Sequence, residues 1–132
     1  MKSEIIFATC GGILSYLLGG FDISIITLCA FMLLDFITGM SASFISKKWD
    51  SEVGAVGIMK KGMIIVMVIF GVFLDRLITG DTFVFRNIIT MFYVANEGLS
   101  IIENCAHIGL PIPERIRKAL AQLSDENDNA LD

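Results

Sequence analysis

Proline is almost missing from this chain of 132 residues, whose only two prolines are Pro111 and Pro113. Residues 1–110 therefore contain no proline ring that would interrupt a helix. Their apolar runs are long and do not alternate with a period of two, so strands with one buried face are not indicated. Because 55% of the residues are hydrophobic and the mean hydropathy is +0.73, we predict an all-α integral membrane protein.

Charge is scarce in segment 23–46, where Asp35 is the one side chain charged at neutral pH. As a helix of about 1.5 Å per residue, this segment reaches roughly 36 Å, enough to cross a hydrocarbon core of about 30 Å. A charge near the middle of a bilayer costs at least about 2.5–3.5 kcal/mol. We therefore expect the Asp35 carboxyl group to face protein or water rather than lipid.

Residues typical of catalytic and metal sites are also few. The three cysteines are far apart, without metal-type spacing, and His107 is the single histidine. Glu97 and Glu103 are six residues apart, which puts them on different faces of a helix. No phosphate-binding loop or nucleophile motif is present in the sequence. We predict no enzyme, no metal and no cofactor.

The net charge of −4 comes from the C-terminal end of the chain. Its acidic residues are Asp125, Glu126, Asp128 and Asp132. The remaining acidic and basic residues balance, so no nucleic-acid surface is indicated.

We predict a transmembrane domain over residues 1–110, followed by a short helix and a tail. The four expected spans are about 5–20, 23–46, 62–78 and 83–106, and a polar loop is expected at 47–61. The first span is short, so three spans are also possible. An amphipathic helix is expected at 111–123, either packed on its own protein or resting on anionic headgroups. The acidic residues 124–132 read as disordered.

Basic residues predict the orientation of these spans. With four spans and a cytoplasmic N-terminus, only Arg76 and Arg86 lie outside. The basic residues predicted at the inner membrane surface are Lys47, Lys48, Lys60, Lys61, Arg115, Arg117 and Lys118, with Lys2 also inside. We therefore expect both termini in the cytoplasm; three spans would place only the C-terminus there.

Two of the expected helices carry polar faces. In the second these residues are Asp35, Gly39, Ala42 and Ser46, with Thr38 beside them. In the fourth they are Arg86, Thr90, Tyr93, Glu97, Ser100 and Asn104, widened by Asn96, Glu103 and His107. Such faces avoid lipid. They either form a seam within one subunit or meet in an assembly of several copies and line an aqueous opening.

The chain resembles the phage-lysis and toxin-secretion holins from about residue 20 to residue 123. The resemblance is carried by short segments in a fixed order. They are LDFITG at 34–39, SEVG at 51–54, GI at 57–58, KK at 60–61, YVANEGLSI at 93–101, EN at 103–104 and IGLPIP at 108–113.

The resemblance implies a protein that accumulates in the bacterial cytoplasmic membrane, forms homo-oligomers and opens lesions. An endolysin then reaches the cell wall, or a large toxin leaves the cell. On this view, one set of residues mediates assembly or faces the pore. The set is Asp35, Thr38, Gly39, Asn96, Glu97, Ser100, Glu103 and Asn104.

Two other classes of protein fit the same pattern. A small proton-coupled multidrug transporter also has about four spans, but its membrane carboxylate is expected in the first helix, which has none here. A membrane adaptor would recruit its partner through the C-terminal helix. Toxicity on induction favours the holin, and resistance to quaternary ammonium compounds favours the transporter.

Overall fold

The computed structural model describes residues 1–80 and 82–131, and the described chain is built from α-helices, which confirms the all-α part of the predicted fold class. The helices are α1 (Lys2–Leu18), α2 (Ile23–Ile45), α3 (Ser51–Ile78), α4 (Val84–Ile108) and α5 (Glu114–Leu131). Short connections join them, and two of these begin at glycines in the left-handed conformation, Gly19 and Gly109. Such short connections place successive helices antiparallel to each other.

Two boundaries differ from the prediction for physical reasons. The loop expected at 47–61 is helical from Ser51 onward, because the Asp50 side chain caps α3 by accepting a hydrogen bond from the Glu52 amide. The tail expected to be disordered from residue 124 continues α5 to Leu131. There the Gln122 amide donates to Glu126 one turn later. Asp132 lies outside the described residues.

Among the residues that the structure describes, α2 and α3 are the two helices long and apolar enough to cross a membrane. Both expose large apolar side chains, including Leu33 and Phe44 on α2 and Phe70 and Leu77 on α3. A soluble protein rarely exposes apolar surface on this scale, whereas lipid would cover it. Helix α4 is less apolar, and α1 is shorter than a typical span.

Helix α4 lies at the centre of the bundle. It packs against α2 on one side, α3 on another and α5 on a third, whereas α2 and α3 touch little. An apolar core joins α2, α3 and α4, and its fully buried members include Leu28 and Val68. Polar residues of α4 face this interior at its start and near its middle, where they form the two clusters described below.

Helix α1 is exposed along most of its length and joins the bundle at its C-terminal end. Leu18 is its buried residue. The Arg76 guanidinium stacks 3.9 Å from the centre of the Tyr16 ring and donates a hydrogen bond of 2.6 Å to the Tyr16 carbonyl. Tyr16 also meets Phe73 edge to face. Helix α1 is therefore anchored to α3 at one end.

Candidate functional site: an ion-paired cluster at the end of a cavity

Three charged side chains from three helices meet inside the bundle. Lys61 Nζ of α3 lies 2.6 Å from Asp35 Oδ2 of α2 and 2.7 Å from Glu97 Oε2 of α4. All three side chains are at most 19% exposed. One ammonium group thus links two carboxylates, and through them the three helices. We call these three residues the inner cluster.

Asn104 extends the inner cluster along α4. Its Nδ2 donates to Asp35 Oδ1 at 2.9 Å, to the Asp35 carbonyl at 3.2 Å and to Thr38 Oγ1 at 3.0 Å. The Thr38 hydroxyl donates to the Leu34 carbonyl, which leaves its oxygen free to accept. A Cβ at Gly39 would lie 3.4 Å from Asn104 Nδ2. This is an ordinary van der Waals distance, so Gly39 lies directly beside the Asn104 amide.

The inner cluster closes one end of a cavity of about 710 Å³ between α2, α3 and α4. The cavity extends towards the connection between α2 and α3, where Trp49 contributes to its wall. Polar and small lining residues include Gly39, Ser43, Ser46, Lys60, Ser100, Glu103, Asn104 and His107. A space of this size and polarity can hold many water molecules. The cavity reaches the charged groups beside the middle of α2.

The structure thus brings together most of the residues singled out from the sequence. Asp35, Thr38, Glu97 and Asn104 contact Lys61 or one another, and Gly39 lies beside Asn104. Ser100 and Glu103 line the cavity. Asn96 is half-buried and lies outside both groups.

The sequence predicts Lys61 as a basic residue at the membrane surface, but its location in the structure is different. It lies inside the bundle because α3 begins ten residues before it, which turns this position towards α2 and α4. Lys47, Lys48, Lys60, Arg115, Arg117 and Lys118 are exposed.

A second cluster, the outer cluster, lies at one end of the same three helices. Arg86 of α4 is 1% exposed, and its guanidinium donates to Asp22, at the start of α2, at 2.8 Å and 3.2 Å. It also donates to the carbonyls of Leu18 and Gly20 at 2.6 Å and 3.2 Å. The Arg86 guanidinium holds the pKa of Asp22 well below its usual range by hydrogen bonding to the carboxylate.

Asp75 of α3 caps α4 from the side and completes the outer cluster. This fully buried carboxylate accepts hydrogen bonds from the amides of Val84, Phe85 and Arg86 at 3.1, 2.9 and 2.8 Å. Those amides belong to the first turn of α4, which has no capping side chain of its own. This role was not predicted from the sequence, although a charged residue in the last turn of an apolar helix was a signal for it.

The fold and the two clusters define a class: a small all-helical protein suited to a membrane, with charged residues paired inside its bundle. Residues 12–125 match the bacteriophage holin family, so the chain belongs to that family. The resemblance stated from the sequence is thereby confirmed. The holin family is not an enzyme family.

Two relatives illustrate the proteins to which this chain is similar. The chain is 33% identical to a protein described as a probable holin of Bacillus phage phi105, over 73% of this chain and 70% of that protein. It is 45% identical to an uncharacterized 14.9 kDa protein of Clostridium perfringens, encoded in the nagH 3′ region, over 88% of each chain. No solved structure matches this chain.

Proposed function

We propose that this protein is a holin that accumulates in the bacterial cytoplasmic membrane, assembles with its own copies and opens lesions in that membrane. The observation that carries the proposal is the polar cavity ending at Asp35, Lys61 and Glu97. It places charged groups and room for water beside the middle of an apolar helix. A membrane protein keeps such groups for a purpose, because placing them there is costly.

The pairing inside one chain suits a protein that must first accumulate without damage. While Lys61 pairs with both carboxylates inside the bundle, α2 and α3 present large apolar side chains to lipid. When copies assemble, the same polar groups can exchange their contacts for water or for groups on a neighbouring copy. A lesion then opens without any chemical reaction.

The residues that we assign to assembly or to the pore are those predicted from the sequence. The set is Asp35, Thr38, Gly39, Asn96, Glu97, Ser100, Glu103 and Asn104. Its support is the cavity, which six of the eight line. Thr38 is included in the set because it contacts Asn104. Asn96 is included only because of its position on α4.

We further propose four spans, formed by α1 to α4, with both termini in the cytoplasm. The bias of basic residues supports this orientation. Helix α1 would span a locally thinned bilayer, since its 17 residues reach roughly 26 Å. A reporter fused at residue 2 that is active only outside the cell would contradict this topology. The cargo released through the lesion is an endolysin or a toxin.

The decisive experiment is induced expression in a bacterial host. Membrane potential and release of a folded cytoplasmic enzyme are followed together. Sudden loss of both after a delay is the expected result. Loss of neither would contradict the proposal, and loss of potential alone would limit the lesion to a small ion-conducting pore.

A matched pair of variants links the lesion to the inner cluster. Asp35→Asn combined with Glu97→Gln leaves the Lys61 ammonium unpaired, so we expect earlier leakage. Glu52→Gln removes an exposed carboxylate near the start of the same helix α3 and should leave the timing unchanged. If the double variant kept the wild-type timing and oligomer size, the assignment of these residues would be wrong.

The cavity also favours one alternative, a small proton-coupled transporter, because two carboxylates stand at its closed end. Such a protein would confer resistance to quaternary ammonium compounds at expression levels that do not stop growth. Growth tests with and without the compound separate it from a holin, whose induction stops growth in either case.

A further inference from the structure

The polar cavity that ends at the inner cluster shares part of its wall with a second, apolar cavity. The second cavity has a volume of about 400 Å³, and its lining residues are Met40, Ser41, Phe44, Ile45 and Trp49. Met40 and Trp49 line both cavities. Each cavity has a size typical of sites for small molecules. A polar space and an apolar space therefore meet at these two side chains, near the end of α2.

In the proposed topology, this meeting point lies at the depth of the lipid headgroups. Trp49 belongs to the connection between α2 and α3, which that topology places at the inner membrane surface. Tryptophan is enriched at this level of a bilayer. Phe44 and Ile45 are exposed, so acyl chains of the surrounding lipid can reach the apolar cavity.

The charges of the polar cavity favour a headgroup that carries an amine. Four carboxylates and three lysine ammonium groups line this cavity, so its wall has an excess of negative charge. Lys48 lies beside Trp49 at the mouth, and Glu103 lies six residues after Glu97 along α4, roughly 9 Å nearer the mouth. Glu103 forms no ion pair with any residue that the structure describes. Its carboxylate attracts an ammonium group and repels an anionic headgroup.

We propose that the two cavities together form a binding site for a phospholipid with an ethanolamine headgroup. An acyl chain lies in the apolar cavity, the phosphate pairs with the Lys48 ammonium at the mouth, and the headgroup amine pairs with Glu103. Phosphatidylglycerol has the same phosphate but no amine, so the acidic wall disfavours it. The inference rests on the proposed function in that α2 and α3 must cross the membrane, but it does not require copies to open a lesion.

Quenching of tryptophan fluorescence tests the site, because Trp49 is the single tryptophan of the chain. The full chain is reconstituted in phosphatidylcholine vesicles with increasing fractions of brominated phosphatidylethanolamine or brominated phosphatidylglycerol. Bromine near the glycerol end of an acyl chain quenches a tryptophan that it contacts. We expect half-maximal quenching at a roughly threefold lower fraction of phosphatidylethanolamine, as suits ion pairs that are partly exposed to water.

General attraction of lipid to the protein surface predicts the opposite preference. Basic residues at a membrane surface attract anionic lipid without any specific site. Equal quenching by the two lipids, or stronger quenching by phosphatidylglycerol, would therefore overturn the inference. Brominated phosphatidylcholine is a further comparison, because its methylated amine cannot donate a hydrogen bond to Glu103. Quenching by it as strong as by phosphatidylethanolamine would overturn the assignment of the amine to Glu103.

A matched pair of variants locates the headgroup. Glu103→Gln removes a carboxylate from the cavity wall and should abolish the preference for phosphatidylethanolamine. Glu52→Gln removes an exposed carboxylate that does not line the cavity and should leave the preference unchanged. A preference that survives Glu103→Gln would overturn the proposed contact.

Release of an entrapped dye from the same vesicles tests the proposed function separately. A chain that releases the dye but shows no preference among the lipids would contradict this inference alone. A chain that prefers phosphatidylethanolamine but never releases the dye would contradict the proposed lesion and support the lipid site.

Discussion

Lys61→Met removes the charge that holds the inner cluster together while keeping a side chain of similar length. The two carboxylate oxygens each lie within 2.7 Å of Lys61 Nζ, so they are separated by roughly 5 Å at most. Two like charges at roughly 5 Å repel by about 3 kcal/mol at an effective dielectric constant of about 20. Breaking a buried ion pair from one side costs about 3–5 kcal/mol in general. We therefore expect the free energy of unfolding to fall by about 3 kcal/mol.

The assay is unfolding in mixed micelles by a denaturing detergent, followed by loss of helical circular dichroism. Lys60→Met is the control, because it removes an equal charge from the neighbouring exposed position and should change the free energy by less than about 0.5 kcal/mol.

A rescue variant separates electrostatics from packing. Adding Asp35→Asn and Glu97→Gln to Lys61→Met replaces two repelling carboxylates with amides that can hydrogen-bond to each other. We expect this triple variant to regain more than half of the lost stability. Equal stabilities for the variants at positions 60 and 61, or a triple variant as unstable as Lys61→Met alone, would refute the reasoning.

The outer cluster yields three further predictions, measured by the same unfolding assay. Asp75→Ala leaves three first-turn amides of α4 without an acceptor. It should lower the free energy of unfolding by about 2–4 kcal/mol. A loss below about 0.5 kcal/mol would show that water replaces the cap. Gly19→Ala should lower the free energy of unfolding by about 1–2 kcal/mol, because φ is +74° and the new Cβ would lie 2.9 Å from Arg86 Nε. The control is Gly12→Ala, whose Cβ would lie in open space and which should be neutral or stabilising. Since the pKa of Asp22 is lowered in the folded protein, its stabilising effect is present above the ordinary carboxyl pKa of about 4 and is lost as the pH falls below it. Asp22→Asn should remove that part of the acid destabilisation, and an unchanged pH profile would contradict the assignment.

The sequence was sufficient to predict the helical fold and the polar face of α4, because both depend on local periodicity. The polar face points inward as such faces must, and Arg86, Thr90 and Glu97 are all buried. The sequence left open whether these groups meet inside one chain. Ion pairs between residues as far apart as Asp35 and Lys61 depend on how helices pack, which periodicity does not specify.

Lys61 lies in an environment that was not predicted from the sequence. It was assigned to a polar loop with Lys60, and nothing local separates two adjacent lysines. A helix that begins earlier changes this, because Lys61, Ile64, Val68 and Asp75 then fall on one face by steps of three, four and seven. All four face the bundle, with Lys61 the least buried of them. The error in the start of α3 therefore caused the error in the environment of Lys61.

The two clusters differ in how easily water can replace their bonds. Asp75 and Arg86 of the outer cluster bind backbone amides and carbonyls at helix ends, several of them buried. Breaking those bonds would leave unpaired backbone groups, each costing about 1–3 kcal/mol. The ion pairs of the inner cluster instead join side chains at the end of a polar cavity, where water can solvate each group as it separates. In the proposed lesion, α2 and α3 therefore part first at the inner cluster, while the outer cluster holds their other ends together.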